Sequence, residues 1–188
     1  MGIAPDEPPV RQSDRGALYR AALEELDAAG RLYPCFCSRS DIRAAASAPH
    51  SELPAGAYPG TCLSLSVAER GRRIAAGSPY ALRLRADGAR VGFVDRLLGH
   101  VEGVVDDFVV RRADGVVGYQ LAVVVDDADQ GIGEVVRGAD LAASTPRQIP
   151  LARLLGLTVP RHAHVPLVLG PDGERLPSAT VRGRRNSR

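Results

Sequence analysis

Residues 108–125 read FVVRRADGVVGYQLAVVV, two apolar runs on either side of an Asp114-Gly115 turn signal. The first run, residues 108–112, is rich in β-branched and aromatic side chains and predicts a strand. The second, residues 119–125, is almost continuously apolar. Such a run predicts a strand buried on both faces of a largely parallel sheet. Downstream, Ser144-Thr145-Pro146 places a cap and an N1 proline before a helix that ends near Gly156. Residues 164–169 predict a last strand, turned by Pro171-Asp172-Gly173.

Upstream, residues 80–85 and 91–95 carry the strand pattern. Ser66 opens a helix through Ala75 that Gly77 stops, and Ser40 caps a short helix over residues 41–46. Between them, residues 47–61 hold Pro49, Pro54, Gly56, Pro59 and Gly60, the composition of an irregular loop. At the start, Ser13 caps a helix with Leu18, Ala21, Leu23 and Leu26 at helical spacing, ending at Gly30. Helices and strands in this order predict an α/β domain carrying a small inserted subdomain. No internal repeat or long linker interrupts it.

Composition narrows the function classes. With 188 residues, 45% of them hydrophobic and 24% charged, the chain has the make-up of an ordinary globular domain. Its longest apolar run, around residues 121–125, cannot cross a bilayer, and no secretory signal pattern opens the chain. The expectation is a cytoplasmic monomer with no membrane partner. Every basic side chain is arginine. The net charge of +2 rests on Arg182, Arg184, Arg185 and Arg188, since the remaining 20 arginines face 22 acids. The pI near 8.6 therefore signals no basic nucleic-acid surface.

Three cysteines occur: Cys35 and Cys37 around Phe36, and Cys62 beyond the proline-rich loop. An odd count without an export signal argues against a disulfide framework. Zinc would need about four ligands in a tetrahedron, three of them these thiolates and the fourth a His, Asp, Glu or, unusually, Tyr. Buried free thiols on a strand are the alternative. Asp126 and Asp127 have no arrangement suited to acid/base catalysis, and His162 and His164 are read as structural.

The runs LYPCFCSRSDI, YPGTC, VVDDFVVRRADGVVGYQLAVVVDDADQGIGEVVRGADL, STPRQIPLARLLGL and HVPLVLGPDGERL, in this order, resemble the glutamyl-Q tRNA(Asp) synthetase family over residues 9–176. The resemblance implies a partial class I synthetase, a Rossmann-like catalytic domain with an inserted zinc-binding subdomain. It implies ATP-dependent activation of glutamate, with Mg2+ accompanying ATP, and transfer to the queuosine base of tRNA(Asp). Carried over to this chain, the family zinc ligands fall on Cys35, Cys37, Tyr58 and Cys62, and its glutamate-contacting residues on Tyr119 and Arg137. The implied organisation is a helical part of the nucleotide-binding fold (1–31), the zinc-binding insertion (32–79) and the rest of the catalytic domain (80–176). An arginine-rich, non-native tail (177–188) follows.

Two departures from the family accompany this. The chain starts after the position of the HIGH-type motif, so its beginning is expected to lie part-way through the domain. Where the KMSKS-type loop carries a lysine, this chain has Ser178, which suggests a reading-frame shift just after Leu176. The chain by itself is accordingly expected not to activate glutamate. A non-catalytic zinc-binding remnant and a fragment of an ordinary glutamyl-tRNA synthetase are the alternative readings.

Overall fold

The computed structural model describes residues 8–46 and 57–170. In chain order its elements are α1 (Gly16–Ala28), β1 (Leu32–Cys35), α2 (Arg39–Ala46), α3 (Val67–Ala75), β2 (Ala81–Leu84) and β3 (Arg90–Asp95). There follow β4 (Gly99–Val104), β5 (Phe108–Arg111), α4 (Tyr119–Asp129), β6 (Glu134–Gly138), α5 (Thr145–Leu154) and β7 (Arg161–Val165). The strands make two sheets. One is antiparallel, in the order β1-β2-β5; the other is mixed, in the order β4-β3-β7-β6, with β7 parallel to both neighbours.

Residues 119–125, expected as a strand, form the first two turns of α4. An apolar run of this length does not distinguish a buried helix from a buried strand by periodicity. Here Leu121, Ala122, Val124 and Val125 are all buried, packed among α5, α1 and β5. Gly118 fixes where the helix starts. A Cβ on it would lie 2.5 Å from the Val109 carbonyl oxygen, so any larger residue would displace the backbone of β5. The largely parallel sheet is corrected with it, because parallel pairing is confined to β7. The pattern also missed β4 and β6, whose apolar residues are interrupted by glycine and charge.

Smaller shifts have local causes. Ser13 sits in a 3₁₀ turn, and α1 begins at Gly16 with Tyr19, Ala22 and Leu26 buried, while Leu18 is exposed. The cap of α2 is Ser38 rather than Ser40: the Asp41 N–H donates to Ser38 Oγ at 3.2 Å and the Ser38 N–H donates to Asp41 Oδ2 at 2.7 Å, a reciprocal box. Ser66 caps α3 as expected, accepting from the Glu69 N–H at 3.1 Å, and Gly77 follows its end at φ +73°. The last strand is β7, shifted three residues earlier than its pattern suggested.

One core joins α1, α4, α5 and both sheets, centred on Leu26, Leu84, Val105, Val110, Leu121 and Leu151. A second, separate cluster contains Tyr33, Cys35, Tyr58 and Cys62. Among the described residues no helix is long and apolar enough to cross a membrane.

Candidate functional site

Strand β1 ends on Cys35, whose register partner is Ala81 in β2, so the first thiol is fixed by strand pairing. The chain then turns through Cys37 into α2, and Cys62 arrives on a turn in which Gly60 adopts φ +77°. The three sulfurs lie within 4.8 Å of one another, and all three thiols are free. Cys37 Sγ is 3.4 Å from Cys62 Sγ, and the Tyr58 hydroxyl lies 3.4 Å from Cys35 Sγ and 3.7 Å from Cys37 Sγ. Tetrahedral zinc with Zn–S bonds near 2.3 Å sets its sulfurs about 3.8 Å apart. The structure thus brings together all four residues that the resemblance implied.

Electrostatics point the same way. Burial pushes the Cys37 thiol up to about 12, helped by its hydrogen bond with Cys62, and burial likewise raises the Tyr58 phenol. For Cys62 burial is opposed and outweighed by hydrogen bonds, the Phe36 N–H first and the Tyr58 hydroxyl next, which hold it below its ordinary value. A divalent metal would add positive charge among these sulfurs, and soft sulfur donors at this spacing fit zinc.

Two consecutive acids clamp this knuckle to the core. Asp106 accepts from the Tyr58 N–H at 2.8 Å and pairs with Arg147 on α5, its Oδ1 accepting from Nε at 2.7 Å. Asp107 accepts from the Tyr33 hydroxyl at 2.5 Å and from the Ala86 N–H at 2.8 Å. Sequence reading passed over both, although their position just before β5 and their burial near 8% mark them as anchors.

Arg137 is the second focus. It lies on β6 opposite His164 of β7, and on the same face, because register partners in paired strands share a face. Its Nε donates to His164 Nε2 at 3.0 Å, and its NH2 donates to Thr145 Oγ1 at 2.7 Å and Gln148 Oε1 at 2.8 Å. Since arginine can only donate, His164 Nε2 accepts, and the proton of this neutral ring sits on Nδ1. That Nδ1 donates to Asp95 Oδ2 at 2.6 Å, with both side chains fully buried. Burial works against the Asp95 charge, but the Leu98 and Leu97 N–H groups and the His164 ring outweigh it and hold the carboxyl well below its usual range.

His164, read from sequence as structural, bridges Asp95 to Arg137. The alternation in residues 162–164 could have suggested this, since residues two apart on a strand share a face. Ser144 stands at the N-cap of α5 but makes no side-chain cap hydrogen bond, Pro146 is the second helical residue, and the Thr145 hydroxyl accepts from Arg137. His162 stacks on His164 with rings 6.0 Å apart, and burial lowers it to about 4.

Tyr119 is the first residue of α4 and 52% exposed, on a depression of about 300 Å³ shared with Arg112, Gln120 and Arg147. Its chain neighbour Gln120 joins the Arg137 network: Gln148, which accepts from Arg137, donates to Gln120 Oε1 at 2.9 Å. Asp126 is an anchor for α1, accepting from Gln12, Arg15 and Tyr19. Ser178 lies outside the described residues. A cleft of about 720 Å³ between α1 and the β1-β2-β5 sheet includes neither Arg137, Tyr119 nor the cysteines.

Residues 1–178 match the catalytic-domain family of class I tRNA synthetases (E and Q), and the chain belongs to that family. Within it, the chain is 56% identical over 176 residues to the glutamyl-Q tRNA(Asp) synthetase of Nocardia farcinica, covering 94% of this chain and 56% of that protein. The protein of the same name from Symbiobacterium thermophilum is 54% identical over 172 residues, covering 89% and 53%. The chain thus spans a little over half the length of these relatives. Among solved structures, the glutamate-tRNA synthetase of Elizabethkingia anophelis superposes with a TM-score of 0.78 at 26% identity, over 94% of this chain and 40% of that one. The glutamate tRNA ligase of Elizabethkingia meningosepticum, solved with its amino acid, gives a TM-score of 0.77 at 26% identity, over 94% and 39%.

Proposed function

We propose that this chain is the amino-acid-recognising and zinc-binding part of a glutamyl-Q tRNA(Asp) synthetase. Its whole protein would activate glutamate with ATP and Mg2+ and transfer it to queuosine in tRNA(Asp). The observation that carries the reading is Arg137. Its hydrogen bonds go to the neutral acceptors His164, Thr145, Gln148 and the Leu141 carbonyl, which orient its fork for a substrate carboxylate, while Asp127 feels its charge electrostatically. Tyr119, whose chain neighbour Gln120 is tied to Arg137 through Gln148, would contact the same amino acid.

Cys35, Cys37, Tyr58 and Cys62 would hold zinc, which when bound crosslinks the knuckle. Asp106 and Asp107 then transmit that rigidity to α5 and β2. The chemistry at the amino acid is positioning and charge stabilisation, consistent with a site of arginine and neutral donors rather than paired carboxylates.

Glutamate transfer tests the reading. A chimera in which residues 8–170 replace the matching part of the Nocardia farcinica relative should transfer labelled glutamate to queuosine-containing tRNA(Asp) and not to the same tRNA lacking queuosine. Arg137→Ala should remove that transfer. Transfer independent of queuosine would favour an ordinary glutamyl-tRNA synthetase activity instead. The 188-residue chain alone should give no glutamate-dependent ATP–pyrophosphate exchange. The uncharged Ser178 at the family's lysine position is by itself worth roughly a hundredfold or more in rate.

A further inference from the structure

Arg83 on β2 is 6% exposed and sits over the Tyr58 ring, its guanidinium carbon 3.6 Å from the ring centroid. One NH1 donates to the Asp107 carbonyl at 2.7 Å, and its Nε is buried with no partner. Among the described residues it forms no ion pair, since the nearby Asp107 carboxylate is occupied by Tyr33 and Ala86. A buried cation so poorly matched destabilises a metal-free fold. Arg70 repeats the pattern: its NH2 caps the Leu63 carbonyl beside the knuckle at 2.7 Å, and its Nε is also buried without a partner.

We infer that Arg83, with Arg70 in support, is the counter-charge of the loaded metal centre. The inference rests on the zinc reading given above. Zinc bound by three thiolates and a neutral phenol carries a net charge of minus one, in a knuckle whose Cys35, Tyr58 and Cys62 are at most 3% exposed. A guanidinium stacked on the ring of one ligand is placed to neutralise that charge without competing for the sulfurs. Planarity matters as well as charge, because only arginine can lie face to face with Tyr58. Arg83 therefore acts through the metal ligands as a positioning and compensating residue. The position gains its partner when zinc enters.

The test measures zinc affinity, by competition with a chromophoric chelator, and metal-free thermal stability for the wild-type chain, Arg83→Met and Arg83→Lys. Arg83→Met should lower zinc affinity by about 10- to 100-fold, the range found when outer-shell partners of a metal site are removed. Its metal-free melting temperature should be unchanged or higher, because a buried charge has been removed. Arg83→Lys should retain more affinity than Arg83→Met. Equal affinities for wild type and Arg83→Met would overturn the inference while leaving the zinc reading intact. A parallel fall in metal-free stability and affinity in both variants would also overturn it, reducing Arg83 to packing. A wild-type chain that takes up no zinc removes the zinc reading and this inference together.

Discussion

The knuckle and the Arg137 site are built in opposite ways. The four knuckle donors fall between residues 35 and 62, with the three sulfurs within 4.8 Å of one another and the Tyr58 hydroxyl 3.4 Å from Cys35 Sγ. Arg137 depends on distant parts of the chain: Asp95, Thr145, Gln148 and His164 converge on it from β3, α5 and β7. The first arrangement is local and needs an external ion to complete it. The second is non-local and already satisfied by its own hydrogen bonds. Chemistry encoded over a short span tolerates loss of its surroundings, whereas an oriented charge at a sheet edge needs the whole core.

The sharpest way to separate the two is to remove one thiol. Cys35→Ser should abolish stoichiometric zinc binding, and with it a stabilisation of about 4 kcal/mol at free zinc a thousandfold above Kd. Thermal melting with and without zinc reads this out: the wild type should shift and the variant should not. Amide hydrogen exchange in β6 and β7, around Arg137, should change little. A variant that loses both regions together would show that the knuckle is not an independent unit.

The converse change is Leu121→Ala in α4, fully buried at the centre of the main core. Truncating such a residue costs about 2–5 kcal/mol. Chemical denaturation should show that loss in the metal-free chain, while the zinc affinity of the folded fraction stays within about threefold. If Leu121→Ala leaves stability unchanged, α4 is not the packed helix described here.

Acid should act on the Arg137 region before it acts on the rest. His162 titrates near 4 in the fold, below its ordinary value of about 6.5, because burial penalises its charged form. Between those values the unfolded chain binds more protons, so stability falls as pH drops from about 6.5 towards 4, by roughly 1–3 kcal/mol. Asp95, held below the usual carboxylate range, contributes stability that is lost only at still lower pH. His162→Gln should flatten the first window and leave the second. The smallest effect belongs to the knuckle side: Ser66→Ala removes the α3 cap and should cost about 1 kcal/mol, with no change in pH dependence.

The same contrast explains what could be read from the amino-acid order. Three thiols around a proline-rich loop are visible in sequence, whereas Tyr58 beside them entered only through the family resemblance; the Ser66 cap and Gly77 stop are local signals that structure preserved. The helix over residues 119–129 was misread because buried helices and buried strands present the same apolar face to inspection. Asp95 could not be recognised at all: its partner His164 is 69 residues away, and only β7 pairing with β3 makes them neighbours. Arg83 was equally hidden, because its meaning comes from a ring that it meets across the two cores.

The most direct test of the account is X-ray absorption at the zinc edge of the purified 188-residue chain, with metal content measured alongside. The account predicts one zinc per chain with three sulfurs near 2.3 Å and one light-atom ligand near 2.0 Å, the light atom lost in Tyr58→Phe. A chain that remains folded yet holds no zinc, or a site whose fourth ligand is unaffected by Tyr58→Phe, would contradict it.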